Sequence, residues 1–279
     1  MIFTRARLIW SGFVFGLFLC VFVSVFVLYV ATPDRYNILV IGSDQRGTER
    51  ARSDILLIVS IPKRANAPIV MFSIPRDTLV EDATWGRQKM THFYARGDAP
   101  AAGKSLGNVD LTTTQIETLT GLSIDASLEV TFDSFTGIVD QLGGATIEGQ
   151  TVSGAQALAA VRDRFSGDRS DFDRQFDARQ VVQSLASKLV TSPTTARQAL
   201  ATVAANPQAR LRYQRSSALR FGLATWLGHR GHITLTGIEE GSVPGSGQMI
   251  YTPDFGTELY YWVPDTTALQ DQLHQWGLQ

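Results

Sequence analysis

Three short apolar runs follow one another early in the chain: Asn37 to Gly42, Ile55 to Ser60 and Ile69 to Ile74. Each is rich in β-branched residues and bounded by turn residues, the pattern of a buried strand. The connection from Pro62 to Pro68 is short enough for a hairpin, so the second strand runs antiparallel to the first and third. In such a meander the end of the first strand, the start of the second and the end of the third share one edge. Those places carry Asp44, Asp54 and Arg76. Two carboxylates can hold a divalent metal, and a guanidinium forks onto phosphate. The edge suits a charged, phosphorylated substrate. Taken singly, each aspartate is a common turn cap, and Arg76 beside Asp77 reads as a surface ion pair.

From Leu8 to Ala31 there are 24 residues without a charge. A helix of that length exceeds the roughly 30 Å hydrocarbon core, and no small-x-small cleavage site follows it. The run reads as an uncleaved transmembrane anchor rather than a buried core helix, which would carry a polar face. Arg5 and Arg7 precede it and favour a cytoplasmic N-terminus. The expected division is residues 1–7 inside, 8–31 in the membrane, 32–36 as linker and 37–279 as an extracytoplasmic catalytic domain, with its motifs in 37–190. The short linker predicts a domain, and a site, close to the bilayer surface. A formal net charge of −1 excludes bulk electrostatic binding to nucleic acid, and a single cysteine, Cys20, excludes a disulfide within the chain.

Beyond the meander the pattern predicts an irregular segment from Thr78 to Asp110. A helix then opens on the Thr112/Gln115 capping box and stops at Gly121. A strand over Ser127 to Phe132 precedes a helix capped by Asp133 that runs to Gln141. Ser153 and Gln156 open another helix, to about Ala160, and a long helix spans Phe176 to Val190. The tail adds a helix over Ala218–Leu227, a strand over His232–Thr236, a Gly/Pro loop through Gly247 and a last helix from Thr266 to Trp276. Alternating strands and helices make the expected fold α/β, a three-layer α/β/α sandwich around one mixed sheet behind the membrane helix.

A second group of charges comprises Arg162, Arg164, Arg169, Arg174 and Arg179. Arg162 and Arg164 point the same way if the backbone is extended, so a strand or strand-like turn is expected there. Planar guanidinium forks suit a pyrophosphate. The chain uses 21 Arg against 4 Lys, however, and the same stretch carries five aspartates, so a solvated ion-pair loop is an equal reading. Lys89 and His92 add a cation and a donor. His229 and His232 lack a third ligand and read as surface histidines rather than a zinc clip. There is no Walker loop, no dinucleotide fingerprint and no Gly-x-Ser-x-Gly elbow.

The motifs Gly42-Ser-Asp-x-Arg46, Arg52-Ser-Asp54, Ser73-Ile-Pro-Arg-Asp-Thr78, Lys89-x-x-His92, Phe132-x-x-Phe135, Asp140-x-Leu-Gly-Gly144, Gly154-x-Gln-Ala-Leu158, Val161-Arg-x-Arg164 and Arg179-Gln180 occur in this order. In that order they resemble the LytR–CpsA–Psr family over about Tyr36 to Val190. The chain departs from the family pattern at Thr91, usually Asn, at Ile55, usually Thr, and in the five-residue spacing of Arg174 and Arg179, usually three.

The resemblance implies a membrane-anchored enzyme facing the cell wall, with an α/β/α sandwich and magnesium (or manganese) as cofactor. It implies transfer of a glycan phosphate from a polyprenyl-pyrophosphate-linked glycopolymer to a peptidoglycan hydroxyl, with release of polyprenyl phosphate. The implied partners are that lipid-linked glycan, peptidoglycan and the membrane lipid, and no nucleic acid. Asp44 and Asp54 would organise the metal, and either would take the proton of the attacking hydroxyl; with Arg76 they form the implied catalytic set. Arg52, Arg76, Arg162, Arg164, Arg174, Arg179, Gln180 and Lys89 would grip the pyrophosphate. The competing readings are a membrane-anchored polyprenyl-pyrophosphate phosphatase and a non-catalytic wall-associated regulatory protein.

Overall fold

The structure, a computed structural model, describes residues 2–44, 51–96, 107–162, 170–229 and 237–279, with side chains for all of these but 2–15, 190, 191, 193 and 254. Helix α1 (Ile2–Ala31) leads into strands β1 (Arg35–Ser43), β2 (Ser53–Pro62) and β3 (Ile69–Ser73). A hairpin, β4 (Leu79–Asp82) with β5 (Gly86–Lys89), precedes α2 (Met90–Ala95) and α3 (Val109–Thr120). Next come β6 (Ala126–Thr131), α4 (Phe132–Gln141), a small hairpin of β7 (Ala145–Ile147) and β8 (Gln150–Val152), α5 (Gly154–Arg162) and α6 (Asp171–Thr191). The last part holds α7 (Pro193–Ala205), β9 (Ala209–Tyr213), α8 (Arg215–Gly228) and β10 (Ile238–Ser242). The ribbon β11 (Gly245–Thr252) with β12 (Thr257–Pro264) and helix α9 (Thr266–Gln275) complete it.

Six strands form one mixed sheet in the order β10-β3-β2-β1-β6-β9. The expected meander is its centre: β2 is antiparallel to both β1 and β3. Strands β6 and β10 run parallel to β1 and β3, and β9 closes one edge antiparallel to β6. Side chains alternate across the pleat. Leu39, Ile41, Leu56 and Ile58 face a core shared with Met90 of α2, Ile116 of α3 and Leu273 of α9. Ile38, Val40, Leu57 and Val59 face the other way, beneath Val182 of α6. There Val139, Ala157, Val161 and Val181 join α4, α5 and α6 in a second cluster. Helices thus cover both faces of the sheet.

Several local expectations are corrected. The Thr78–Asp110 segment holds the β4–β5 hairpin and α2. Helix α3 starts at Val109 because Asn108 caps it, accepting from the Leu111 N–H at 3.0 Å; Gly121 ends it in the left-handed conformation, φ 72°. Thr131, not Asp133, caps α4. Helix α6 begins five residues before Phe176, behind a Ser170/Asp173 capping box. The predicted Gly/Pro loop is partly β11, and α7 and β9 have no counterpart in the sequence reading. The expected strand over 232–236, with His232, lies outside the described residues; His229 is buried.

Helix α1 matches the apolar run, with side chains described from Gly16 on. Among the described residues no helix is long and apolar enough to cross a membrane, so the spanning of residues 8–31 rests on the sequence. The edge carrying Asp44 lies at the far end of β1 from α1. The nine residues of β1, eight steps of roughly 3.3 Å, separate them by about 26 Å. The short linker therefore places the sheet, but not its charged edge, next to the end of α1.

Candidate active site

The site forms where β1, β2 and β3 meet at one rim. The β1–β2 register shifts between Gly42 and Ser43, so that Ser43 stands opposite Ser53. Just beyond, two hydrogen bonds close the neck of the connecting loop. The Asp44 N–H donates to the Arg52 carbonyl and the Arg52 N–H donates to Asp44 Oδ1, both at 3.1 Å. Asp54 follows on β2, and Arg76 lies three residues past the end of β3. Arg76 Nη1 donates to Asp54 Oδ1 at 2.6 Å, and Arg76 Nε stands 3.5 Å from Asp77. Burial works against the Arg76 charge, but Asp54, Asp77 and Asp44 together hold its pKa above the ordinary arginine value. The two aspartates and the arginine expected to meet do share one electrostatic site.

The β5–α2 junction adds the next charges. Lys89 Nζ donates to Asp77 Oδ1 at 2.7 Å. The Thr91 N–H donates to the Arg76 carbonyl at 3.0 Å and so fixes the start of α2 against the rim. His92 Nδ1 lies 3.0 Å from Gln88 Oε1. Burial, then Lys89, Arg96 and Arg52, push the His92 pKa down to about 4, so the ring is neutral at neutral pH.

Sequence reasoning missed the hydroxyls. Among the described residues the buried Ser43 Oγ, Ser53 Oγ, Thr91 Oγ1 and Arg76 Nε have no hydrogen-bond partner. Buried polar atoms are rarely left so. These three hydroxyls and the Arg76 Nε lie on the segments that carry the Asp54–Arg76 pair or flank it. The signal available was their position, at strand ends beside charged residues.

Of the second arginine group, Arg169 lies outside the described residues, and the described members Arg162, Arg174 and Arg179 stand in different surroundings. Arg162 ends helix α5 instead of lying on a strand, because the Ser153/Gln156 box sets a helix that runs two residues past Ala160. Its guanidinium carbon lies 4.6 Å from the Phe132 ring centroid. Thr131 is level with Ser43 across the parallel β1–β6 pair, so Phe132 and Arg162 stand at the same rim. Arg164, like Arg46, lies outside the described residues. Arg174 is inside α6 and pairs with Asp171. Five residues along a helix turn it roughly 140° from Arg179. Arg179 is only 8% exposed; its Nη1 donates to Ser73 Oγ at 2.8 Å and its Nε to Glu240 Oε2 at 3.0 Å. It braces the end of β3 below Arg76. Gln180 Oε1 accepts the Glu148 N–H at 2.7 Å, turned toward the β7–β8 hairpin. Arg52 is exposed.

Between the sheet and helices α4, α5 and α6 runs an apolar crevice lined by Ile55, Phe132, Phe135, Leu158, Val161 and Val182, among others. Gly42 forms part of its wall: a Cβ there would stand 3.1 Å from Ile55 Cβ. Two residues that line it, Ile55 and Val161, are the chain neighbours of Asp54 and Arg162, so the crevice lies at the same end of the sheet as the rim. The sequence offered only apolar helix faces as a hint of it.

A sequence model of the LytR_cpsA_psr family matches residues 24–152. A polyisoprenyl-teichoic acid–peptidoglycan teichoic acid transferase TagU of Oceanobacillus iheyensis is 31% identical over 223 residues, 74% of this chain and 67% of that protein. The chain belongs to the LytR–CpsA–Psr family. A TagU of Bacillus anthracis is also 31% identical, over 57% of this chain and 54% of its own length; the chain spans about half the length of such curated relatives. Among solved structures, Lin1025 of Listeria innocua superposes with a TM-score of 0.66 at 25% identity, covering 87% of this chain and 97% of that one. TagT bound to LIIa-WTA superposes with a TM-score of 0.63 at 23% identity, covering 87% and 89%, and so shares the LytR–CpsA–Psr fold.

Proposed function

We propose that the chain is a phosphotransferase. It would move a glycan phosphate from a polyprenyl-pyrophosphate-linked glycopolymer to a peptidoglycan hydroxyl and release polyprenyl phosphate. The observation that carries this reading is the pairing of two unlike surfaces. The Asp54–Arg76–Asp77–Lys89 rim and an apolar crevice lined by Gly42, Ile55 and Phe132 lie at the same end of the central sheet. A polyprenyl pyrophosphate has the same two halves, a charged head and an apolar tail, and its tail would have to widen the crevice, whose volume is about 40 Å³. The relatives' name, polyisoprenyl-teichoic acid–peptidoglycan teichoic acid transferase, supports the same substrate class.

In this reading Arg52, Arg76, Lys89 and Arg162 bind the phosphate oxygens, and Arg164 takes the same role by the family resemblance. Arg174, Arg179 and Gln180 act through position, because each is held by other protein groups. The acceptor hydroxyl attacks the sugar-side phosphorus and gives its proton to Asp54 or Asp44. The bond from that phosphorus to the bridging oxygen breaks, and the electron pair leaves with polyprenyl phosphate. Cations fixed around the transferring group lower the barrier by electrostatic preorganisation.

Among the described residues no three His, Cys, Asp or Glu side chains form a metal cage. The carboxylates of Asp44 and Asp54, both near enough to act on the Arg76 charge, would suit magnesium or manganese, since magnesium commonly takes one or two carboxylates and completes its shell with phosphate and water. Asp44 and Asp54 would hold the ion, which when bound would neutralise charge on the pyrophosphate and assist departure of the lipid phosphate. The proposed topology keeps residues 1–7 inside, 8–31 across the cytoplasmic membrane, 32–36 as linker and 37–279 outside.

The test is reconstitution of the full chain in lipid with a polyprenyl-pyrophosphate glycan and peptidoglycan. The reading predicts glycan bound to peptidoglycan and one polyprenyl phosphate released per transfer. Release of free glycan phosphate to water with no bound glycan would instead identify a phosphatase.

A further inference from the structure

Helix α8 has two apolar faces. Phe221, Ala224 and Thr225 turn inward and are buried. Phe221 packs on Tyr36 of β1, ring centroids 5.1 Å apart. On the opposite side Leu219, Leu223 and Trp226 form one i, i+4, i+7 row, with Leu227 beside it. All four are exposed, Leu219 at 68% and Trp226 at 55%. A helix standing in water carries polar residues on that side, and a contiguous bare apolar row marks an interaction surface.

The surroundings identify the partner. Where α1 ends, Lys63 Nζ donates to the Tyr29 carbonyl at 3.2 Å and the Thr32 carbonyl at 2.6 Å, and it pairs with Asp34 at 3.0 Å. The last residue of α8, Gly228, abuts the same point. A Cβ there would collide with the Lys63 carbonyl and stand 3.5 Å from the Tyr29 hydroxyl. Absence of a side chain at Gly228 thus lets α8 join the end of α1. Leu17, Phe18, Phe22, Phe26 and Val30 of α1 are bare apolar side chains, and the helix that carries the α8 row meets α1 at its end. Tyr29 and Trp226 are the amphipathic aromatics that favour a membrane–water interface. Arg215 and Arg220, both exposed on α8, suit anionic headgroups.

We propose that α8 is an interfacial helix, lying with Leu219, Leu223 and Trp226 sunk into the anionic bilayer surface from which α1 emerges. This rests on the reading of α1 as a membrane anchor. It gives the domain a second point of attachment, so that the domain does not swing freely on residues 32–36. The charged rim is then held about one β1 length above the leaflet.

The test uses the full chain with Cys20→Ser, reconstituted in vesicles of phosphatidylglycerol and phosphatidylcholine. A single environment-sensitive fluorophore is placed by Leu223→Cys or, separately, by Leu19→Cys in α1. The proposal expects blue-shifted emission at position 223, several-fold less quenching by aqueous iodide than in the denatured chain, and strong quenching by nitroxide-labelled lipid. Position 19 reports the anchor alone. Lipid quenching at 19 with iodide access at 223 overturns the interfacial helix and leaves the anchor standing. Iodide access at both positions overturns the two together. Protection at 223 from iodide without quenching by lipid also overturns the proposal, because a second copy of the chain would then cover the row.

Discussion

Arg76 and Asp54, 22 residues apart in the chain, are joined by a 2.6 Å hydrogen bond at the rim of the central sheet. Both side chains are largely but not fully buried, 24% and 11% exposed. The pair is therefore sheltered enough to be ordered and open enough to meet a ligand. Asp77 ties it to Lys89, so four charges from β2, the segment after β3 and the β5–α2 junction act as one cluster.

Removing the Asp54 charge tests the carboxylate directly. Asp54→Asn is expected to lower turnover about 100-fold or more, the scale of a lost general base or metal-organising group. Its melting temperature should fall only modestly, because the amide oxygen of Asn can still accept the hydrogen bond from Arg76. Steady-state release of polyprenyl phosphate measures the first, a thermal melt the second. Turnover within twofold of wild type would remove Asp54 from the catalytic set.

The pKa of His92 makes stability depend on pH. It is 6.5 in the unfolded chain and about 4 in the fold, where burial, Lys89, Arg96 and Arg52 disfavour the charged ring. Between these values the unfolded chain binds more protons, so stability rises with pH. The contribution is fully present above pH 6.5, is lost as pH falls toward 4, and amounts to at most about 3 kcal/mol. His92→Gln should flatten the denaturant-derived stability curve in that window. An unchanged slope would mean that the ring titrates normally.

Arg179 is expected to matter for folding more than for ligand contact. Glu240→Ala leaves its buried guanidinium short of a partner and should cost about 2–3 kcal/mol, while Glu240→Gln costs less because a hydrogen bond remains. Urea titration of the two variants decides it. Near-wild-type stability in Glu240→Ala would show that Arg179 turns elsewhere.

Filling the crevice should separate tail from head. Leu158→Trp is expected to raise KM about tenfold for a long polyprenyl donor and leave a short-tailed donor unaffected, since only the long tail needs the apolar space. Equal effects on both donors would place the tail outside the crevice.

The meander was legible because its strands are short β-branched runs between turn residues, and the Asp44–Asp54–Arg76 grouping followed from strand direction alone. The β11–β12 ribbon was hidden because Gly245 and Gly247 read as loop; its pairing is supplied by the aromatic strand Thr257–Pro264. The start of α6 was hidden because its first turns are polar, and only the Ser170/Asp173 box announces it. The arginines were hardest. An arginine aimed at a ligand and one buried against a carboxylate look alike in sequence, and Glu240, the partner of Arg179, lies 61 residues away.

The most direct measurement is the affinity of a polyprenyl-pyrophosphate glycan for the full chain in lipid, with and without magnesium, for wild type and Arg76→Ala. With magnesium, the rim as a pyrophosphate site predicts binding weakened at least about tenfold in the variant. It also predicts wild-type binding that drops when magnesium is chelated. Equal affinity in both proteins, unchanged by chelation, would contradict it.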